Sequence, residues 1–301
     1  MTIPFEGVPL HELGPLAERA DGLGYDGLWS AESTHYDGFT PLVSAAERTD
    51  RVRLVTGIVN VYTRGPALLA QTAAALADVS NGRFVLGLGA SSNVIVERWN
   101  EIPFRRPLAK VEETVGYLRT VLGGERGRGG FKLGAPPAYP VPIILAALRE
   151  PMLRLAARVA DGAFTNFLPL SQVEQVRGAF GAPQKELACR LFSFHGDDAL
   201  ERAKRTFVAY ATVPVYTEFF RWLGFGEHVD PLVEAWNTGD RRRAVEVVPE
   251  ELVREIFLLG PLDAQRERLA EFGAAGIDTG VLALSCRPDE LPALLDGFAP
   301  S

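Results

Sequence analysis

Residues that cross-link small proteins or bind metals are scarce in this sequence. It has two cysteines in 301 residues, Cys189 and Cys286, and they lie far apart without C-x-x-C spacing. This argues against a disulfide framework and a zinc site, and it indicates a reducing compartment. The four histidines are not clustered with carboxylates at the spacing of metal ligands. We therefore expect no metal site.

Positive charge and long apolar runs are also scarce. The net charge is −7 with a pI near 5.3, and the basic run Arg241–Arg243 is short enough to be a solvated helix face. We therefore expect no nucleic-acid partner. The longest apolar runs are strand-sized and broken by glycine, proline or charge, so we expect neither a signal peptide nor a membrane span. These features predict a cytoplasmic protein.

Common catalytic motifs are missing as well. The sequence has no H-E-x-x-H motif, no Walker A motif and no G-x-S-x-G elbow. Gly87-Leu88-Gly89 is followed by Ala90-Ser91-Ser92, so it is not the G-x-G-x-x-G fingerprint of dinucleotide-binding folds. Metalloprotease, P-loop and α/β-hydrolase chemistry are therefore disfavoured.

The most informative stretch that is present runs from Arg83 to Ser92. It is an apolar run that ends in small residues, which is typical of a buried parallel strand leading into a loop. Gly87 and Gly89 lack side chains, and Ser91 and Ser92 carry hydroxyls, so an anionic ligand could approach the backbone here. The alternative is a buried strand followed by a glycine turn that binds nothing.

Strand-like and helix-like segments alternate along the whole chain. Eight such strands predict an α/β fold, a closed (β/α)₈ TIM barrel, in a single domain over residues 1–301. The segment at about 213–249 does not fit this repeat, and we interpret it as a helical insertion between strand seven and helix eight. Its aromatic residues would cover the barrel mouth, form a dimer interface or belong to the core.

The carboxyl ends of barrel strands form the active site in this architecture. Glu32 and His35 follow the second predicted strand, and such a pair can hold and pass a proton. The alternative is a solvated loop with incidental charges. Glu97, which lies beyond the fourth strand next to Arg98, is a second candidate carboxylate or one half of a surface ion pair.

Several short motifs, in matching order, resemble the bacterial-luciferase-like superfamily. They cover most of the chain and are Gly24–Trp29, Thr56–Ile58, Arg64–Pro66, Ser80–Gly89, Pro142–Ala147 and Ala160–Ala163. The run Gly89–Glu97 is most similar to the branch that depends on the deazaflavin coenzyme F420. The resemblance implies a (β/α)₈ barrel with an insertion, which agrees with the strand count.

The resemblance also implies roles for individual residues. Gly57-Ile58 would be a non-prolyl cis peptide in a bulge that supports the deazaflavin ring, with Asn60 just beyond it. The path of the cofactor phosphate and side chain would be lined by Gly89, Ala90, Ser91 and Ser92. Ala146 and Asn166 would lie along the same groove.

This sequence departs from the family around the proton donor. Relatives carry a histidine directly after the acidic residue that aligns with Glu32, whereas here Ser33 follows and the histidine is His35. The donor is therefore open among His35, Glu32 and Glu97, and the sugar-phosphate dehydrogenase activity of one branch is not expected. The first strand is short, and we expect that the given start is truncated.

The resemblance implies hydride transfer between coenzyme F420 and a small organic substrate, with reduction of a C=C or C=N bond. The alternative within the same superfamily is a monooxygenase that depends on reduced FMN. A barrel that binds a ligand without catalysis is a third hypothesis. We expect a homodimer, and the sequence does not identify the substrate.

Overall fold

Parallel strands build the centre of the molecule. The computed structural model of the chain describes residues 1–300. Its strands are β1 Thr2–Ile3, β2 Gly27–Ser30, β3 Arg53–Thr56, β4 Val59–Asn60, β5 Phe84–Gly89, β6 Ile143–Ala146, β7 Gly162–Asn166, β8 Glu186–Phe194 and β9 Thr279–Ser285. They pair in the order β1-β2-β3-β5-β6-β7-β8-β9, and β4 continues the line of β3 beside β5. Because β1 also contacts β9, the predicted eight-stranded barrel is confirmed in a nearly closed form.

Helices follow most of the strands. They are α1 Leu13–Gly22, α2 Thr40–Ala46, α3 Pro66–Val79, α4 Pro107–Leu122, α5 Glu150–Val159, α6 Val173–Phe180, α7 Ala199–Ala211, α8 Pro214–Trp222, α9 Gly226–Asn237, α10 Arg241–Glu246, α11 Glu250–Ile256, α12 Leu262–Ala275 and α13 Leu291–Gly297. Short 3₁₀ turns precede α1 and α6. Within residues 1–300, no helix combines the length and the apolar character needed to cross a bilayer.

The segment between α7 and α12 is helical, as predicted, and extends beyond residue 249 through α11. Phe219 and Phe220 are fully buried, so part of its aromatic content is core. Phe220 belongs to a second apolar cluster, which the inserted helices form with α7. Beyond β5, Val94–Trp99 forms a π-helix. The Val96 amide donates to the Ser92 carbonyl as this helix begins.

Side chains that point into the barrel form layers because successive residues of a strand face opposite sides. The central layer is apolar and consists of Trp29, Val55, Val85, Ile144, Phe164, Ala188 and Val281. Below it, at the amino ends of the strands, the Arg53 guanidinium donates to both oxygens of Glu186 at 3.0 Å. The Thr279 hydroxyl also donates to Glu186, at 2.6 Å. These contacts close the base of the barrel.

The Glu186 carboxylate depends on these partners. Burial alone would raise its pKa, but the hydrogen bonds from Arg53 and Thr279 and the charge of Arg53 hold the pKa below the usual value of 4.5. The folded pKa is therefore lower than the unfolded one. The resulting stabilisation is complete above the unfolded pKa and is lost as the pH falls through the folded pKa.

We expect Glu186→Gln to lower the free energy of unfolding at pH 7 by about 2 kcal/mol, because Arg53 loses one of its two carboxylate partners. The difference from the wild type should shrink as the pH falls from 4.5 through the lower pKa of the folded state, below which the wild-type carboxylate is protonated as well. Urea denaturation at a series of pH values measures both effects. Glu246→Gln, which alters an exposed ion pair with Arg242, is the control. A pH-independent difference would contradict this account.

The seam between β3 and β5 is shaped by a glycine. The Thr56 hydroxyl donates to the Gly87 carbonyl at 2.9 Å and accepts from the Gly87 amide at 2.8 Å. A Cβ on Gly87 would lie 1.8 Å from the Thr56 carbonyl oxygen, and one on Gly89 would lie 3.0 Å from Ile58 Cδ1. The side-chain-free positions of β5 therefore accommodate the bulge that separates β3 from β4.

We expect Gly87→Ala to destabilise the protein by about 3 kcal/mol, because the clash is with backbone and cannot be relieved by a rotamer change. Gly116→Ala is the matched control, since a Cβ there meets nothing within 4 Å on the surface of α4. That change should raise stability by up to about 1 kcal/mol. Chemical denaturation of both variants checks the pair, and equal effects would refute the packing role of Gly87.

Candidate functional site

The carboxyl ends of β3 to β7 bring most of the predicted cofactor-binding residues to one side of the barrel mouth. Gly57 and Ile58 form the bulge, and Asn60 ends β4. Gly89 pairs with Asn60 and ends β5, with Ala90, Ser91 and Ser92 directly after it. Ala146 and Asn166 end the next two strands. The peptide bond between Gly57 and Ile58 is cis, as the family resemblance implied.

Arg190 supports the bulge from the opposite wall of the barrel. It lies on β8 beside Asn166 of β7, and strand alternation places its side chain on the same inner face as Ala188. One of its terminal nitrogens donates to the Gly57 carbonyl, within the cis peptide unit. Its guanidinium lies 5.3 Å from the centre of the Phe164 ring, a cation–π distance. Arg190 is not among the residues predicted from the sequence.

The remaining donors of Arg190 are poorly satisfied. Its Nε is buried and has no hydrogen-bond partner, and the ion pairs found within residues 1–300 do not include this arginine. Burial lowers its pKa, against weaker opposing effects of Tyr210, Tyr216 and Cys189. The mouth therefore contains a partly buried cation with no carboxylate bound to it.

Aromatic side chains from α7 and from the first inserted helix, α8, stand beside Arg190. The Asn166 amide donates to the Tyr216 hydroxyl at 3.1 Å, and burial raises the pKa of Tyr216 well above its usual range. Tyr210 packs edge-on against Tyr216, with ring centres 5.2 Å apart, and Phe167 contacts both rings. The aromatic residues of the insertion were expected to cover the barrel mouth, form a dimer interface or belong to the core. Tyr216 lies at the mouth.

Glu32 and His35, the predicted proton-transfer pair, contact different partners and do not bind each other. Both terminal nitrogens of Arg64 bind the two oxygens of Glu32, each at 2.6 Å, and the Gly38 amide donates to Glu32 at 2.9 Å. Glu32 thus ties the loop after β2 to Arg64. His35 is exposed on that loop and packs against Tyr36, with ring centres 4.1 Å apart. No hydrogen bond joins Glu32 to His35 in the described part of the chain.

The other predicted polar residues mostly bond to nearby backbone. Glu97 is exposed and accepts from the Phe104 amide at 3.0 Å. The Asn60 side chain accepts from the amides of Tyr62 and Thr63 at 3.0 and 2.9 Å. Ser91 has a positive φ of 65°, which bends the chain sharply after β5. These contacts shape the loops at the mouth.

A cavity of about 190 Å³ opens at the seam where β1 meets β8 and β9. Its walls are mostly apolar, with Phe5, Phe192, Phe194 and Leu284 among them. Thr2 also lines it, and its hydroxyl is buried without a hydrogen-bond partner. Glu6, Thr206 and Ser285 line it as well, so the cavity combines apolar walls with polar groups that include a carboxylate.

Arg190 could have been found in the sequence, because a charged residue within the apolar run Leu187–Phe194 is unusual for a buried strand. Tyr216 carries no such signal, since its position depends on how the inserted helices fold back onto the barrel. Cys189, the neighbour of Arg190, is buried on the opposite face of β8, and burial raises its pKa to about 12.

Comparisons with known proteins agree with this architecture. The chain is 26% identical to a candidate coenzyme F420-dependent oxidoreductase of Mycobacterium tuberculosis, over 87% of each chain. It is 27% identical to 5,10-methylenetetrahydromethanopterin reductase of Archaeoglobus fulgidus, over 96% of this chain and 95% of that one. The solved coenzyme F420-dependent tetrahydromethanopterin reductase of Methanopyrus kandleri superposes with a TM-score of 0.78 and 21% identity, covering 99% and 96% of the two chains.

A sequence model of one family covers almost the whole barrel. The family is described as luciferase-like monooxygenase, and the match spans residues 3–279. That range contains the bulge, the mouth residues of β5 to β8 and all the inserted helices. The chain therefore belongs to the luciferase-like monooxygenase family.

Proposed function

We propose that this protein is a coenzyme F420-dependent oxidoreductase that transfers a hydride between the deazaflavin and a small organic substrate, reducing a C=C or C=N bond. The observation that carries the proposal is the floor of the mouth. There, a cis peptide held by Arg190 faces a groove of glycine and alanine residues. Near full-length similarity to a methylenetetrahydromethanopterin reductase supports the choice of cofactor and reaction.

The residues at the mouth fit such a cofactor. Gly89, Ala90 and Ala146 have little or no side chain, and Ile58 already fills the space beside Gly89, so a planar ring would lie over the bulge and the ends of β5 and β6. Ser91 and Ser92 follow β5 and would hold the cofactor phosphate through hydroxyl and backbone N–H groups. When bound, the reduced deazaflavin supplies the hydride, so the chain must position the substrate and provide a proton.

We assign the proton donor to His35. Both oxygens of Glu32 are occupied by Arg64 and Gly38, which makes Glu32 a positioning residue for the loop that carries the histidine. Glu97 is exposed and bound to the Phe104 amide, away from the floor of the mouth. The His35 ring makes no hydrogen bond among the described residues and is free to turn toward a bound substrate.

The second candidate is a monooxygenase that uses reduced FMN, which the description of the family favours. Both cofactors carry a phosphate, so the Ser91-Ser92 segment does not distinguish them. We expect coenzyme F420 to bind with a Kd at least about tenfold lower than that of FMN. Fluorescence titration of the purified protein with each cofactor measures this. A preference for FMN would overturn the proposal and direct the assay to oxygen consumption.

The assignment of His35 as proton donor leads to a separate prediction about turnover. With whichever enone or imine the wild type reduces, His35→Gln should slow turnover about 10²–10⁴-fold, because general acid catalysis is lost. The Kd of coenzyme F420 should stay unchanged. Glu97→Gln is the control and should retain turnover within about twofold, since its backbone contact survives as an amide-to-amide hydrogen bond. If Glu97→Gln is the impaired variant and His35→Gln is not, the assignment is wrong.

A further inference from the structure

The cavity at the seam of β1, β8 and β9, called the seam cavity below, opens inside the barrel mouth. Its lining comes from the carboxyl ends of these three strands and from α7. Phe192 and its strand partner Ala283 are two of the lining residues. They lie an even number of positions beyond Ala188 and Val281 of the central layer, so strand alternation places them on the inner face. The seam cavity is therefore on the same side of the sheet as the apolar interior of the barrel.

The size and the walls of the seam cavity limit what fits in it. Its volume is about 190 Å³, and Phe5, Phe192, Phe194 and Leu284 supply apolar walls. An apolar cavity of about 150 Å³ holds a benzene ring. The seam cavity therefore suits one ring or a short branched chain, and it is too small for the fused rings of a deazaflavin. A part of the substrate is the occupant that fits.

Glu6 is the one charged residue in the lining of the seam cavity. It lies in a turn in which the Val8 amide donates to the Phe5 carbonyl at 3.2 Å. Gly7, the next residue, has a φ of 75°, a left-handed conformation that favours glycine. A Cβ on Gly7 would also lie 3.0 Å from Cγ of Pro288, which follows β9. The turn therefore holds Glu6 at the rim, between the end of β1 and the segment after β9.

The charges around the rim leave Glu6 without a cation. Within residues 1–300, Glu6 makes no ion pair and accepts no hydrogen bond through its carboxylate. The nearby guanidinium of Arg202 donates to the Ser285 hydroxyl at 3.1 Å and pairs with Asp198 at 2.9 Å. Burial raises the pKa of Cys286, on which the charge of Glu6 acts, to about 11, so this thiol is neutral at pH 7. The lining of the seam cavity is therefore apolar with one negative charge.

We propose that the seam cavity binds a non-reacting part of the substrate, a small apolar group that carries a protonated amine, with Glu6 as its counter-ion. The inference deepens the proposed function, on which it rests, by naming the substrate class as small apolar amines with a reducible C=C or C=N bond elsewhere in the molecule. Binding energy from the non-reacting part then orients that bond for hydride transfer. Because Glu6 is exposed, its charge adds modestly to the affinity that the apolar walls provide.

Benzylamine and benzyl alcohol test the role of Glu6, because they have nearly the same size and shape and only the amine is charged at pH 7. Calorimetric titration of the purified protein, alone and with saturating oxidised coenzyme F420, measures the affinity for each. We expect the wild type to bind benzylamine about threefold more tightly at low salt. This preference should vanish at about 1 M salt, which screens an exposed charge.

Two matched variants show whether the preference comes from Glu6. Glu6→Gln should abolish it while leaving the affinity for benzyl alcohol unchanged. Glu47→Gln removes the same charge at the carboxyl end of α2, away from the lining of the seam cavity, and should keep the preference. Equal affinity of the wild type for the two ligands, no binding of either, or a preference that persists in Glu6→Gln would overturn the inference. Loss of the preference in Glu47→Gln would overturn it as well.

A third variant tests where the ring lies. Ala283→Leu places a larger side chain in the seam cavity and should weaken the binding of both ligands at least about tenfold. If Ala283→Leu does not fold, Thr206→Phe narrows the same cavity from α7. Unchanged affinity in the folded variant would place the ligands elsewhere and refute the inference. The cofactor titration is a separate result: a protein that prefers FMN but keeps the Glu6-dependent preference would refute the cofactor assignment and support the substrate class.

Discussion

The mouth of this barrel depends on the contact between the bulge after β3 and the glycine face of β5. The Thr56 carbonyl occupies the place that a side chain on Gly87 would take, and the Thr56 hydroxyl bonds to both backbone groups of Gly87. From the opposite wall of the barrel, Arg190 donates a hydrogen bond to the carbonyl of Gly57. The floor is thus fixed from two sides, so a ligand would meet a preorganised surface.

Two partly buried arginines lie at opposite ends of the barrel. At the base, Arg53 is matched by carboxylates, and breaking that network costs stability. At the mouth, Arg190 has no carboxylate, and its desolvation is offset by one carbonyl and one aromatic ring.

Local patterns made the barrel predictable, whereas long-range contacts decided the site. The apolar run Arg83–Gly89 and other apolar runs of similar length along the chain specify buried strands through local periodicity. The cis peptide at Gly57-Ile58 followed from a family resemblance and agrees with the structure. The partner of Glu32 is Arg64, 32 residues away in sequence, and no spacing rule reveals such a pair. The packing role of Gly87 was likewise hidden, because it depends on Thr56 of the adjacent strand.

Hydride transfer and oxygenation can share this floor, because each needs a planar cofactor held over a preorganised surface. The features that decide between hydride transfer and oxygenation must therefore lie above the floor of the mouth. There the protein controls access of water and oxygen and the supply of a proton. The loop after β2, tied down by the Glu32–Arg64 pair, covers one side. The inserted helices, through Tyr216, cover another. These two elements lie outside the barrel core, so reaction and substrate can change while the Thr56–Gly87 contact stays the same.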